Sequence, residues 1–299
     1  MTDLNSFCLH KFKRILKLLI YPSFFIVAGC TEIIELELST DPVRLVVDAV
    51  LTSEPEYQIV RLSKSVPYFS DQPAPPVSFA KVAISDGEHK FLFTESVENP
   101  GYYYISPKEF VPEPGITYTL TIDAVDIGNE GVEPTYSAVT TMPYPVEADS
   151  VDLRLNDTWE IWQVLVWFQD PPDEDNYYLF KVRRNDQLMT YRPKDLRVTD
   201  DVFFNGSYVN GIWVQSINAG SNRRQLNDDD IITLDLCSIS EDFYRFMDAL
   251  HKEIRPASPL FSGPPANLPG NISNGALGFF TAIATHQVSV VFDSSRHNQ

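Results

Sequence analysis

Between residues 44 and 142 the chain carries seven short apolar or alternating runs, each closed by glycine, proline or a polar turn. Few folds accommodate that pattern. Residues 44–51 are nearly continuous valine and leucine, and residues 58–63 set Ile59 and Arg61 against Val60 and Leu62. Residues 81–85 and 89–94 flank Asp86-Gly87, a dipeptide suited to the positive φ of a tight hairpin. Runs at 101–105, 117–125 and 136–142 complete the set. Successive side chains on a strand point to opposite faces, so alternation marks one buried and one solvated face. Seven such strands predict a β-sandwich of immunoglobulin or transthyretin type over 43–142.

Met142-Pro143-Tyr144-Pro145-Val146 reads as a linker, since alternating prolines keep it extended. The scheme is then a linker over 143–148, a second β-rich, fibronectin-like module over 149–293, and a tail over 294–299. Residues 150–155 open the second module. Residues 160–168 are apolar on both faces, which suits a central strand. Further strands are expected at 177–183, 202–204, 207–209, 212–217 and 231–237, with turns at Asn205-Gly206 and Asn210-Gly211. The period then changes. Phe243, Phe246, Met247, Leu250 and Ile254 form one stripe of an amphipathic helix near 240–255. Ser238 and Glu241 fit a capping box at its start, and Pro256 stops it. The stripe is expected to pack on a sheet. Residues 262–275 are too rich in glycine, proline and asparagine for regular structure, and 278–285 with 287–292 form a last pair of strands. Of Tyr102-Tyr103-Tyr104, at most the outer two share a face. The fold class is mainly β, two sandwiches with one short helix.

The N-terminus is of another kind. Lys11, Lys13, Arg14 and Lys17 precede an uncharged, mostly apolar run over 18–28, too short to span a bilayer. Val27-Ala28-Gly29-Cys30 follows and reads as a bacterial lipobox. Residues 1–29 are the signal peptide, and Cys30 is the acylated first residue that holds the chain to a lipid bilayer. Thr31, rather than an aspartate, follows it, which favours the outer membrane, on either face. Residues 30–42 are an acidic tether.

Removing the signal takes four bases and one acid from totals of 23 and 41, leaving 19 against 40 and a net charge of −21. Such a surface repels phosphate backbones, so no nucleic-acid role is expected. Cys237 is the one cysteine left besides Cys8, which leaves with the signal, and the acylated Cys30, so the mature chain has no internal disulfide. Its apolar neighbours predict a buried thiol. The five histidines have no zinc spacing, and there is no nucleophile elbow, Walker A or Rossmann fingerprint. The acidic runs 173–175 and 228–230 lack EF-hand spacing and read as solvated turns. No catalytic, cofactor or metal residue is therefore nominated. Asp149-Ser150-Val151 matches a short signal for O-glycosylation of exported proteins, with Ser150 as acceptor.

Several segments together resemble the domain-of-unknown-function 4249 family of Bacteroidetes outer-membrane lipoproteins. They are Cys30-Thr31-Glu32, residues 44–52, Val82-Ala83-Ile84-Ser85-Asp86-Gly87, Phe168-Gln169-Asp170-Pro171-Pro172, residues 265–272 and Gly275-Ala276-Leu277-Gly278-Phe279-Phe280. The resemblance implies an accessory or ligand-binding lipoprotein partnered with a TonB-dependent outer-membrane β-barrel receptor, in nutrient uptake or envelope assembly. It supplies no functional residue beyond Cys30. Two alternatives stand beside it: a structural or adhesive surface protein, and a hydrolase whose paired carboxylates come from distant strands.

Overall fold

Sixteen strands and one longer helix organise the residues described by the computed structural model, which are 42–67, 70–128, 134–172, 174–218, 226–254 and 268–296. The first half supplies β1 (Leu45–Thr52), β2 (Gln58–Lys64), β3 (Lys81–Ser85), β4 (Lys90–Leu92), β5 (Thr94–Glu95), β6 (Tyr102–Ile105), β7 (Thr117–Asp123) and β8 (Tyr136–Thr141). The order β1-β2-β6-β5 forms part of a long sheet, and β4-β3-β7-β8 forms a second sheet. Their inner faces meet in one core: Leu45, Val47, Ala49, Leu51 and Val60 against Ile84, Tyr118, Leu120 and Ile122. The alternation read from the sequence is the alternation buried here. The run at 89–94 serves both layers. Leu92 pairs with Ala83, whereas Thr94 pairs with Tyr104, so the chain changes sheets at the buried Phe93.

The second half supplies β9 (Ala148–Asn156), β10 (Ile161–Gln169), β11 (Tyr177–Arg184), β12 (Gln187–Leu188), β13 (Arg197–Asp200), β14 (Tyr208–Asn218), β15 (Ile231–Ile239) and β16 (Leu277–Val291). β10 is the centre of a three-stranded sheet between β9 and β14, as its two apolar faces predict. This sheet packs on β11, β15 and the end of β16 through Val164, Val166 and Phe168 against Tyr178, Val182 and Leu234. The proline segment before β9 is tied to the long sheet: the Val146 N–H donates to Ser238 Oγ at 3.2 Å and the Ala148 N–H to His286 Nδ1 at 3.0 Å.

β16 departs from expectation. It is one continuous 15-residue strand rather than a pair, because it changes partner instead of direction. Residues 277–283 run parallel to β1, and residues 284–291 run antiparallel to β15. Phe280, Ala282 and Ala284 complete the first core, and Val288 and Val290 pack on the second. The long sheet therefore runs through both halves in the order β12-β11-β15-β16-β1-β2-β6-β5, with β13 also on β11.

The distinctive segment before and within β16 exists to dock this strand. Gly278 has φ +94°, and a Cβ there would lie 1.9 Å from the Val47 carbonyl oxygen, so only glycine allows the approach to β1. The Asn271 side chain holds Phe280 like a short piece of strand, donating to its carbonyl at 2.7 Å and accepting its N–H at 2.9 Å.

The helix α1 (Glu241–Glu253) follows β15 directly. Phe243 and Met247 are buried on the outer face of the long sheet with Leu179, Cys237, Phe279 and Ile283. Burying two such side chains contributes about 1.5–3 kcal/mol each. The cap is not Ser238. That residue lies within β15, and Ser240 Oγ accepts the Phe243 N–H at 3.3 Å instead. Two other expectations change. Residues 202–204 form a turn rather than a strand, and Asn210-Gly211 sits inside β14 rather than ending it. Gly211 takes φ +73° at a bulge where a Cβ would meet the Trp167 ring at 2.6 Å. Pro256, the glycine- and proline-rich run as far as residue 267, and the tail beyond residue 296 lie outside the described residues.

Candidate functional site: the open face of the long sheet

Among the described residues, the outer face of the long sheet is covered by α1 over β11, β15 and β16 and open over β1, β2 and β6. Strand register decides what the open part shows. Val50 lies opposite Ile59, and Ile59 opposite Tyr104. Asp48 lies opposite Arg61, and Arg61 opposite Tyr102. All six point away from the core, because their neighbours Val47, Ala49, Val60, Leu62 and Tyr103 point into it. Tyr57 joins them with its ring edge-on to Tyr104, centroids 5.8 Å apart. The Arg61 guanidinium lies 5.4 Å from the Tyr102 ring centre. Partial desolvation pushes the Asp48 carboxyl up, while Arg61 pulls it down.

Ile59 is 45% exposed and Tyr57 57%. A contiguous apolar and aromatic area of this kind on a strongly acidic protein marks a contact surface rather than ordinary solvated strand. The sheet offers contacts by its face, not its rims: its end strands are short, two residues each in β5 and β12 and four in β13. Tyr102 and Tyr104 thus share the outward face, as strand geometry requires. Val50, Tyr57 and Ile59 were not singled out from sequence. The available signal was Ile59 standing beside Arg61 on the polar side of an alternating strand.

Asp170, Asp228 and Asp230 have structural partners. Asp170, in the Phe168-Gln169-Asp170-Pro171-Pro172 segment, is fully buried; the Tyr178 hydroxyl donates to one of its oxygens and the Gly206 N–H to the other at 2.9 Å. Burial pushes the Asp170 carboxyl up, and burial together with that bond raises the Tyr178 phenol far above its ordinary value. Asp230 accepts from Arg184 at 2.5 Å and from Asn185 at 2.7 Å, and Asp228 from the Ser294 N–H at 2.7 Å. These carboxylates pin turns. Of the run 173–175, Asp173 lies outside the described residues. Among the described residues no group of three or more His, Cys, Asp or Glu side chains is placed to hold a metal. Cys237 is buried and its thiol is pushed up by burial, which leaves it inert as a nucleophile.

A cleft of about 190 Å³ opens at the β14 rim. Arg192 and Asp195 form a two-pronged pair there at 2.6 and 3.0 Å, beside Tyr191, Thr190 and Gln215. Its volume is below the roughly 300 Å³ at which pockets enclose small ligands. A shallower depression of about 500 Å³ lies against Phe91, Phe110, Glu109 and Glu113. Ser150 is exposed on the edge strand β9, opposite Trp167. Cys30 lies outside the described residues. No described helix is long and apolar enough to cross a membrane.

Residues 31–289 match the sequence model of a family described as domain of unknown function DUF4249. No curated protein matches the chain. A solved structure, the FN1–FN3 domains of chicken CNTN1, aligns at 11% identity with a TM-score of 0.25, over 64% of this chain and 59% of that one. The chain thus spans about three fifths of that structure's length.

Proposed function

The chain belongs to the DUF4249 family, and from that premise we propose that it is a non-enzymatic, lipid-anchored accessory protein of the outer membrane. Its partner is a TonB-dependent β-barrel receptor in nutrient uptake or envelope assembly. The observation that carries this reading is the open half of the long sheet. An uncovered row of Val50, Ile59 and Tyr104, beside Tyr57, Tyr102 and Arg61, suits a permanent protein partner, since large aromatic side chains and arginine dominate such contacts. Three further features support it. The basic and apolar N-terminal run ends on Val27-Ala28-Gly29-Cys30, the buried carboxylates of Asp170 and Asp230 are occupied by turns, and the acidic surface gives no grip on anionic lipid, leaving attachment to acyl chains at Cys30. Anchoring raises the effective concentration of the open face near a membrane receptor. Exposure of Ser150 leaves it accessible to a glycosyltransferase after export.

Extraction of the envelope in mild detergent, with a tag on the C-terminus, tests the partnership. A β-barrel receptor should co-purify in stoichiometric amount. Repeated recovery of the lipoprotein alone counts against the proposal, and mass spectrometry of the mature N-terminus tests the acyl group separately.

A further inference from the structure

The first module exposes a second apolar feature at a corner of its sandwich. Phe79 is 89% exposed and Val97 is 97% exposed. Phe79 also has φ +64°, a conformation in which a bulky side chain is strained. Strain of this kind persists only where the surroundings over-determine it. Here they do. The Phe79 N–H donates to one oxygen of Glu95 at 2.8 Å, and the Gly101 N–H to the other at 3.0 Å. On the other side the buried Tyr103 hydroxyl accepts the Ala80 N–H at 3.0 Å and donates to the Val77 carbonyl at 2.9 Å. One carboxylate thus carries both loops, 77–80 and 96–101, and the core fixes the first of them. An aromatic ring is thus built outward against its backbone preference and left 89% exposed.

Strand directions show which end of the module this is. Leu45, where β1 begins, pairs with Lys64 at the end of β2, and the Leu62 N–H donates to the Gly101 carbonyl at 2.8 Å. The loops after β2, before β3 and before β6 therefore lie at the end where the chain enters the fold. Residues 31–41 separate Cys30 from that end. Such a tether reaches about 40 Å at full extension and about 20 Å as a coil. An anchor at Cys30 therefore keeps this end of the module within about 40 Å of the bilayer.

We propose that Phe79 and Val97 form a bilayer-contact point, inserting at the boundary between headgroups and acyl chains. The proposal rests on the reading of Cys30 as the lipid attachment site. Within the two loops the nearest charges in sequence are Glu95 and Glu98 beside Val97 and Lys81 beyond Phe79, so the loops themselves carry no basic cluster to draw them to anionic lipid. Insertion is apolar and insensitive to salt. Two side chains hold weakly by themselves; with the tether they orient the protein, turning the second module away from the membrane surface.

The test uses the acylated full chain in phosphatidylcholine vesicles. Val97→Cys gives one reactive thiol, because Cys237 is buried and Cys30 carries lipid. Val202→Cys, at an exposed turn of the second module, is the control. An environment-sensitive dye at position 97 should shift to the blue and be quenched several-fold more by acyl-chain quenchers than the dye at 202, equally at low and high salt. Phe79→Gly in the Val97→Cys background suits the positive φ, so it should keep or raise the melting temperature while lowering the quenching at 97. Equal water exposure of the two dyes in protein that floats with vesicles overturns the contact and leaves the anchor intact. Protein that fails to float overturns the anchor, and the contact with it.

Discussion

The two halves of the outer sheet face differ in one respect, the helix. Over β11, β15 and β16 the outward residues Leu179, Cys237, Ile239, Phe279 and Ile283 are buried because α1 lies on them. Over β1, β2 and β6 the outward Val50, Ile59, Tyr102 and Tyr104 stand with the charged Asp48 and Arg61, and nothing among the described residues covers them. The boundary falls between β16 and β1, where Phe279 pairs with Asp48. Beneath both halves the inner face is equally well packed. The uncovered half is therefore no part of the fold's own core, and in the proposed function its apolar side chains meet the partner. That contrast is what the energetics should reproduce.

The largest effect is expected from Phe279→Ala. Phe279 packs tilted against Phe243 and Phe246, ring centres 5.4 and 4.9 Å away, so truncation leaves a cavity under the helix and should cost about 3–5 kcal/mol in urea unfolding. A cost as small as that of an open-face residue would remove the distinction between the halves. Ser240→Ala comes next. Loss of the cap should cost about 1 kcal/mol and speed amide exchange in the first turn of α1 without altering exchange in β2 or β6.

Alkaline pH acts on the same side. The Tyr244 phenol, desolvated and bonded to Asp200 at 3.1 Å, is pushed up to about 12. An acid whose folded pKa is raised contributes stability that is complete below its unfolded value near 10 and is lost as pH rises toward 12. Stability should fall over that window, and Tyr244→Phe should reduce the slope. Tyr178, raised further still, adds to the decline from the same unfolded value upward. The smallest effect is expected on the open half: Tyr104→Ala should change stability by no more than about 0.5 kcal/mol. A large loss there would mean that the face is part of the core.

Much of this architecture was legible in the sequence. Alternation in residues 58–63 and 117–123 fixed which side chains go inward, and the stripe from Phe243 to Leu250 located the helix, because both signals are local and periodic. The partnership of β1 with β16 was not legible. It joins Val46 to Leu277 across the length of the chain, and a strand that trades one partner for another at residue 284 looks in sequence like two strands with a break. Local signals also misled where one residue type serves two geometries. Asn210-Gly211 provides positive φ for a bulge beneath Trp167 instead of a hairpin, and of two serines before the helix the nearer one caps it. The open face was half visible: tyrosines at 102 and 104 share a side by strand geometry, but Val50 and Ile59 join them only through register. The strained Phe79 left no signal, since nothing in its neighbourhood resembles a glycine turn.

Co-purification with an open-face variant tests the central claim most directly. Ile59→Asp in the acylated, C-terminally tagged protein should keep the wild-type melting temperature and lose the β-barrel partner from mild-detergent extracts. Retention of the partner at wild-type stoichiometry by a folded Ile59→Asp protein would contradict the assignment of this face.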